Sequence, residues 1–128
     1  TSMIRYRTQE RAPHLLFELT GKVAGKDVRQ ELADLPEVLA SLPSDFVVLA
    51  VYPEVILFEA DAIGPLFYFI THIFDADPGL CVFVDGGQSP HPGLRAFIEK
   101  IGIEEQVAFV PSREEADARI RAFVQSRE

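Results

Sequence analysis

The chain has 128 residues, 48% of them hydrophobic, with a formal net charge of −8 and one cysteine. This composition excludes a disordered chain, and the length fits a single domain (residues 1–128) whose core needs neither disulfide nor metal. The acidic balance excludes the clustered basic surface of a nucleic-acid-binding domain. Because Cys81 has no second cysteine to pair with, a reducing, cytoplasmic location is expected.

Export and membrane insertion are not expected either. No apolar stretch reaches the roughly 18 residues that a membrane-spanning helix needs, and no signal peptide is recognisable. Thr1 and Ser2, which precede Met3, are expected to be residues added in cloning.

The first part of the chain alternates between strand and helix patterns. The segment IRYRTQ is typical of an antiparallel edge strand, and His14 to Thr20 reads as a second strand. A helix is predicted to open at Asp27, where Gln30 three residues later completes a pattern like a capping box. Pro36 is predicted to kink or restart this helix.

The middle of the chain continues this alternation. Continuous apolar runs at Phe46–Val51 and Leu80–Val84 predict strands that are covered on both faces. A helix is predicted between them, from Asp61 to Phe74. A later helix is predicted to be capped by Ser89 and stopped by Gly102.

The last two elements are a short strand, QVAFV, and a helix whose capping box pairs Ser112 with Glu115. Strands and helices thus alternate along the whole chain. This order predicts the α/β class, with a single, mostly parallel sheet and helices packed against it.

Few residues suggest catalysis or metal binding. The histidines His14, His72 and His91 are scattered, so a zinc site lacks ligands, and solvated or packing roles are expected for them. The turn at Asp85–Gly87 lacks the spaced glycines and the lysine of a phosphate-binding loop. No nucleophile elbow is present. We therefore expect no enzyme activity, no catalytic residue, no metal and no cofactor.

Two segments resemble the STAS domain, the module of bacterial anti-sigma-factor antagonists that also occurs at the ends of anion transporters. FIEKIGIEEQVAFVPSREEA is similar to the closing helix, strand and Ser-initiated helix of that family, and YPEVILFEADAIGPL is similar to its switch segment. The resemblance runs from about His14 to Ile120. It implies a STAS-like fold and a protein partner, which is a kinase-like anti-sigma factor or a larger signalling assembly.

Family members commonly carry Asp-Ser-Ser-Gly-Leu at the switch. Without gaps, those five positions fall on Glu59, Ala60, Asp61, Ala62 and Ile63, with Gly64 next. In phosphorylatable members the second Ser is modified by the partner kinase. The resemblance therefore marks these six residues as a partner-binding site, while the aspartate implies that the phosphorylation cycle is absent. Val51, where many members have an acidic residue, is a second departure.

Two interpretations of Asp61 remain open. A carboxylate at this helix start is expected to accept a backbone N–H of the first turn, as a helix cap. It also places a fixed negative charge near the positive end of the helix, where the family places a phosphate. Asp61 is thus either a cap alone or also a permanent imitation of the phosphorylated state.

The helix that follows is apolar on more than one side. Its inner face is predicted from spacings of three and four. A second apolar surface is either covered by the neighbouring helix or exposed as an interface to a partner or a second copy of the chain. The inner face comprises Ile63, Leu66, Phe67, Ile70, Ile73 and Phe74, and the possible interface comprises Pro65, Tyr68, Phe69 and His72.

The favoured function is a non-enzymatic protein-binding module, with a homodimer possible. The alternative from another class is a small-ligand domain, for a nucleotide or a lipid, that uses the strand ends near Asp85–Gly87. An α/β enzyme with unrecognised catalytic residues is a third hypothesis, which no motif supports.

Overall fold

The computed structural model describes residues 3–51, 57–84, 92–102 and 104–127. The interpretations of Asp85–Gly87, Ser89 and His91 lie outside these ranges. The strands in them are Met3–Thr8 (β1), Leu15–Thr20 (β2), Lys22–Val23 (β3), Val47–Val51 (β4), Leu57–Phe58 (β5), Leu80–Val84 (β6) and Val107–Val110 (β7). The helices are Gly25–Glu31 (α1), Leu35–Ser41 (α2), Ala60–Asp75 (α3), Pro92–Ile101 (α4) and Arg113–Ser126 (α5), with a 3₁₀ turn at Glu104–Gln106.

The main sheet has five strands in the order β1-β2-β4-β6-β7. The edge strand β1 is antiparallel to β2, and every other neighbouring pair is parallel. The predicted α/β class with a mostly parallel sheet is confirmed, as is the antiparallel edge strand. The short strands β3 and β5 form a separate parallel pair.

The two faces of the sheet are covered unequally. Buried side chains of α1, α2, α3 and α4 form one large cluster with one face of the sheet. The other face packs against α5, which lies mainly on β4, β6 and β7. Central strands need apolar side chains on both faces, and β4 and β6 are accordingly continuous apolar runs. On the α5 side of β1, the side chains of Arg5 and Arg7 are exposed.

Cys81 lies in β6, an interior strand of the sheet, and only 1% of it is exposed. Burial raises the pKa of its thiol, because the thiolate would be desolvated. The cysteine therefore behaves as a small apolar core residue.

Of three predicted helix starts, the structure corrects one and confirms two. α1 begins at Gly25 rather than at Asp27, whose carboxylate accepts the Ala24 N–H at 3.1 Å from within the first turn. Pro36 does restart the helix, since α2 begins one residue before it. Ser112 caps α5, and its Oγ accepts the N–H of Glu115 at 3.2 Å.

The inner face of α3 differs from the predicted one. Leu66 and Ile73 are buried as expected, but Ala62 and Phe69 complete the buried face. Phe67 instead stacks on Phe97 of α4, with ring centroids 4.1 Å apart. The neighbouring helix thus covers one additional side of α3. Apolar spacing could not select the face, because almost every position of this helix is apolar.

His14 extends the pairing between β2 and β4 with its side chain. Its backbone N–H donates to the Val47 carbonyl at 2.8 Å, and the Val47 N–H donates to His14 Nδ1 at 3.0 Å. Partial burial lowers the pKa of His14. A protonated Nδ1 could not accept the Val47 N–H, which favours the neutral ring further.

This geometry predicts a loss of stability in weak acid. The folded-state pKa of His14 lies below its unfolded value of 6.5, so the unfolded state binds more protons as the pH falls. The contribution of His14 is fully present above that value and is lost as the pH falls through 6.5 toward the folded pKa. Urea unfolding between about pH 7.5 and pH 5.5 should show a weaker pH dependence for His14→Asn, which keeps an acceptor but does not titrate. Equal slopes for the two proteins would contradict this account.

Candidate functional site

Two short strands bring the starts of α1 and α3 together. Val23 of β3 pairs with Phe58 of β5, and the Glu59 N–H donates to the Val23 carbonyl at 2.9 Å. α1 begins two residues after β3, at Gly25, and α3 begins two residues after β5, at Ala60. Because the two strands are parallel, both helices leave this small sheet at the same end. Their first turns are therefore neighbours.

Asp61 caps α1 rather than its own helix. Its Oδ1 accepts the backbone N–H of Gly25, the first residue of α1, at 3.0 Å. The N-cap position of α1 is Ala24, whose methyl group cannot accept a hydrogen bond. The prediction that Asp61 caps α3 is wrong: the N-cap of α3 is Glu59, and that side chain makes no capping bond. A helix start that lacks its own acceptor is thus completed by a residue 36 positions later.

The other carboxylate of the pair, Glu59, points to Lys22. Its Oε1 lies 3.5 Å from the lysine Nζ, and the exposed fraction of the side chain is 63% for Lys22 and 39% for Glu59. A pair of this kind contributes little to stability, roughly 0–1 kcal/mol, because water screens it. Glu59 and Asp61 therefore have different environments and different roles. One is a solvated surface charge, and the other is fixed to a backbone N–H.

Gly25 is buried, and the contact with Asp61 requires a glycine there. A Cβ at Gly25 would lie 2.4 Å from the backbone carbonyl oxygen of Asp61, far inside van der Waals contact. Pro65 stands four residues after Asp61 and has no N–H to donate to that carbonyl, as an ordinary helical residue would. The carbonyl freed by Pro65 thus lies directly against α1.

The outward side of α3 continues from this corner as an exposed strip. It contains small and polar residues and one large aromatic side chain, Tyr68, which is 57% exposed. Tyr68 is the exposed large hydrophobic residue of the described ranges, and its ring meets that of His72 edge-on at 4.5 Å. We call this surface the α3 strip, and its exposed members are Ala60, Asp61, Gly64, Tyr68 and Thr71.

The predicted site residues differ in how far the structure exposes them. In the switch segment Ala60, Asp61 and Gly64 are exposed, while Ala62 is completely buried and faces the core. Ile63 and Glu59 are half-buried.

The residues of the possible interface also differ in exposure. Tyr68 is exposed as predicted, but Phe69 is only 7% exposed, so the hypothesis that Phe69 lies on the surface is wrong. Phe69 instead packs in the core under α3, while Pro65 and His72 are half-buried. The aromatic surface is therefore smaller than the sequence suggested.

Sequence reasoning missed Gly25 and Lys22. The available signal was local: Ala24 cannot cap a helix, so the start of α1 needed an acceptor from elsewhere. Nothing in the sequence indicates which distant carboxylate supplies it.

Within the described ranges, no group of three or more His, Cys, Asp or Glu side chains is placed to hold a metal ion. None of the helices in those ranges has the length and apolarity needed to cross a membrane.

Solved structures share this architecture. An uncharacterized DUF3478-family protein from Shewanella loihica PV-4, described as having a SpoIIAA-like fold, aligns with a TM-score of 0.66 at 16% identity, over 93% of each chain. The Bacillus cell fate determinant SpoIIAA, in its phosphorylated form, aligns with a TM-score of 0.57 at 14% identity, over 94% of this chain and all of the other. The chain has the SpoIIAA-like fold. The STAS-like fold expected from the sequence is thereby confirmed, since this is the fold of STAS anti-sigma-factor antagonists.

Neither models of protein families nor sequences of curated proteins match the chain. At these low identities, the SpoIIAA-like fold is what the comparisons establish.

Two glycine substitutions should have opposite effects on stability. Gly25→Ala forces a methyl group against the Asp61 backbone, which neither helix can move cheaply, and should cost about 1–3 kcal/mol. Gly64→Ala is the matched control, because a methyl group there meets nothing within 4 Å. It should stabilise α3 by about 0.5–1 kcal/mol. Urea denaturation measures both, and a Gly25→Ala protein as stable as wild type would contradict the close contact.

Removal of the Asp61 carboxylate should loosen α1. Asp61→Ala deletes the acceptor of the Gly25 N–H and should cost about 0.5–2 kcal/mol, with faster hydrogen exchange at the Gly25 amide. Asp61→Asn keeps an oxygen acceptor and should lose less. If exchange accelerates in the first turn of α3 and not at Gly25, the assignment of the cap to α1 is refuted.

Proposed function

We propose that this chain is a non-enzymatic, cytoplasmic protein-binding module of a bacterial regulatory system, of the anti-sigma-factor antagonist type. One observation carries the proposal: the α3 strip exposes Asp61, at the position of the family's switch serine, beside small residues and Tyr68. The SpoIIAA-like fold supports it.

The chemistry of Asp61 favours a module without a phosphorylation cycle. A serine kinase transfers phosphate to a hydroxyl group, and the residue at the switch is a carboxylate. The carboxylate of Asp61 is held in place by the Gly25 N–H, which donates to it. A phosphoserine carries about −1.5 to −2 charges, so one carboxylate supplies roughly half of that charge. We infer that the chain stays in one binding state. How much partner it binds would then be set by the abundance of the chain rather than by phosphorylation.

The surface around Asp61 fits a protein partner better than a small molecule. Gly64, next along the strip, has open space around it, so a partner backbone can approach the helix closely. Tyr68 supplies a rigid amphipathic ring of the kind enriched at interface centres. Together they form an exposed surface with one aromatic anchor.

The small-ligand alternative gains no support from the described core. An apolar cavity lies between α3 and the sheet, beside Leu66, Phe69 and Phe83, and it offers about 50 Å³. An engineered cavity that binds benzene measures roughly 150 Å³. A nucleotide or a lipid chain would not fit unless α3 moved away from the sheet.

A partner-capture experiment tests the proposal. The tagged chain is incubated with lysate of the source cells, the captured protein is identified, and its affinity is then measured with purified components. Wild type should bind a kinase-like or sigma-regulating protein. Tyr68→Ala and Gly64→Arg should each weaken that binding at least about tenfold, as expected for hot-spot residues. Arg121→Ala, at an exposed position of α5, serves as the control.

Two further measurements complete the test. Incubation with the captured kinase and ATP should leave residue 61 unmodified in wild type. Light scattering of wild type and Tyr68→Glu decides whether the strip also joins two copies of the chain. If the Tyr68 and Gly64 variants are folded and bind the captured partner like wild type, the α3 strip is not the binding site.

A further inference from the structure

The edge strand β1 presents a second surface, distinct from the α3 strip. Its six residues pair with β2 on one side, from Met3 with Thr20 to Thr8 with Leu15. In the described ranges no strand pairs with its other side. Since alternate residues of such a strand direct their N–H and C=O groups away from the partner, this edge offers hydrogen-bonding groups to an added strand.

Two arginines mark this edge. Arg5 and Arg7 are separated by one residue, so both project from the same face of the sheet. Both are exposed, and neither forms an ion pair or a side-chain hydrogen bond with any described residue. Across the ladder they lie opposite Glu18 and Leu16, and the hollow lined by Arg5, Tyr6, Arg7 and Glu18 measures about 220 Å³. Arg5 and Arg7 thus place two positive charges, unpaired among the described residues, on one strand of a chain whose net charge is −8.

The face that carries these arginines leaves both of their side chains exposed. It is the α5 side of the sheet, and α5 lies mainly on β4, β6 and β7. The opposite face of β1 packs against the core. Tyr6 stacks on Phe17 with centroids 5.5 Å apart, and its hydroxyl donates to Asp34. β1 is therefore a firmly held strand with cations on one side and an aromatic ring on the other.

Charge decides which kind of strand this edge accepts. A second copy of the chain, paired edge to edge about a twofold axis, would bring Arg5 and Arg7 close to the same two arginines, and facing like charges are destabilising. An acidic strand would place carboxylates beside them, at cross-strand Cβ separations of about 4.5–5.5 Å. The Debye length is only about 8 Å at physiological salt, so the distant negative charges of the chain weaken this attraction little.

We propose that β1 binds an extended acidic segment of a partner protein by strand addition. The bound segment becomes the sixth strand of the sheet. The partner pattern follows from the two-residue period: acidic, apolar, acidic. The acidic side chains lie beside Arg5 and Arg7, and the apolar side chain between them covers Tyr6. The peptide backbone pairs with the free edge of β1.

A fluorescent peptide of alternating Glu and Val, titrated into the full chain and followed by polarisation, tests this proposal. It should bind, and a peptide of alternating Lys and Val should not. The double variant Arg5→Glu/Arg7→Glu should bind the Glu peptide at least about tenfold more weakly, since two exposed ion pairs become two repulsive pairs. Arg119→Glu/Arg121→Glu on exposed α5 is the matched control, with the same change of net charge and unchanged binding expected.

Two additional arms separate strand addition from charge attraction alone. N-methylation of the central peptide amides should abolish binding, and hydrogen exchange should slow at β1 amides when the unmodified peptide is present. Arg5→Gln/Arg7→Gln replaces the charge-reversed variant if circular dichroism shows that the latter is unfolded. Binding that survives N-methylation, an equal loss in the α5 control, or no binding of the Glu peptide overturns the proposal. A negative result at β1 does not bear on the proposed binding site at the α3 strip, because the two surfaces are tested with different variants.

Discussion

The contact between the first turns of α1 and α3 is the constraint on which the rest of this corner depends. Gly25 must lack a side chain so that the Asp61 backbone can approach it, and Asp61 must supply the acceptor that Ala24 cannot. The pairing of β3 with β5 delivers both helices to this point. A segment near residue 25 and another near residue 61 thereby become one unit, although neither is stable alone at this length.

This unit explains why an apolar helix opens with two carboxylates. The buried start of α1 needs an acceptor, and Asp61 supplies it. Glu59, at the N-cap of α3, forms a surface ion pair with Lys22 instead. The helix is tolerated as apolar almost all round because the sheet takes Leu66 and Phe69, and α4 takes Phe67. What remains exposed is a narrow strip with one aromatic residue.

Sequence patterns predicted the elements whose cause is local. The apolar runs of β4 and β6 identified strands covered on both faces, and Ser112 with Glu115 identified the start of α5. The resemblance of the closing segment and of the switch segment to the STAS domain led to the correct fold. The strands β3 and β5 were missed because two residues carry no period, and only their mutual pairing defines them.

Other errors arose where distant parts of the chain decide the outcome. The cap on α1 comes from a residue 36 positions away, and local rules assigned that carboxylate to the nearer helix. The buried face of α3 was misplaced toward Phe67 because an all-apolar helix has no polar side to orient it. The position of Phe69 depends on which neighbours surround the helix, and this is known only once the sheet order is known.

The burial of Cys81 gives the chain a built-in reporter of its own opening. The thiol lies in the interior strand β6, and its thiolate form is disfavoured because burial raises the pKa of the thiol. A thiol-reactive reagent can modify it only in molecules whose core has transiently separated. The rate of modification therefore follows the population of open molecules. If α3 lifts from the sheet to admit a ligand, the thiol should be modified faster than in a chain that stays in one closed state. This difference in rate can be measured before any ligand is known.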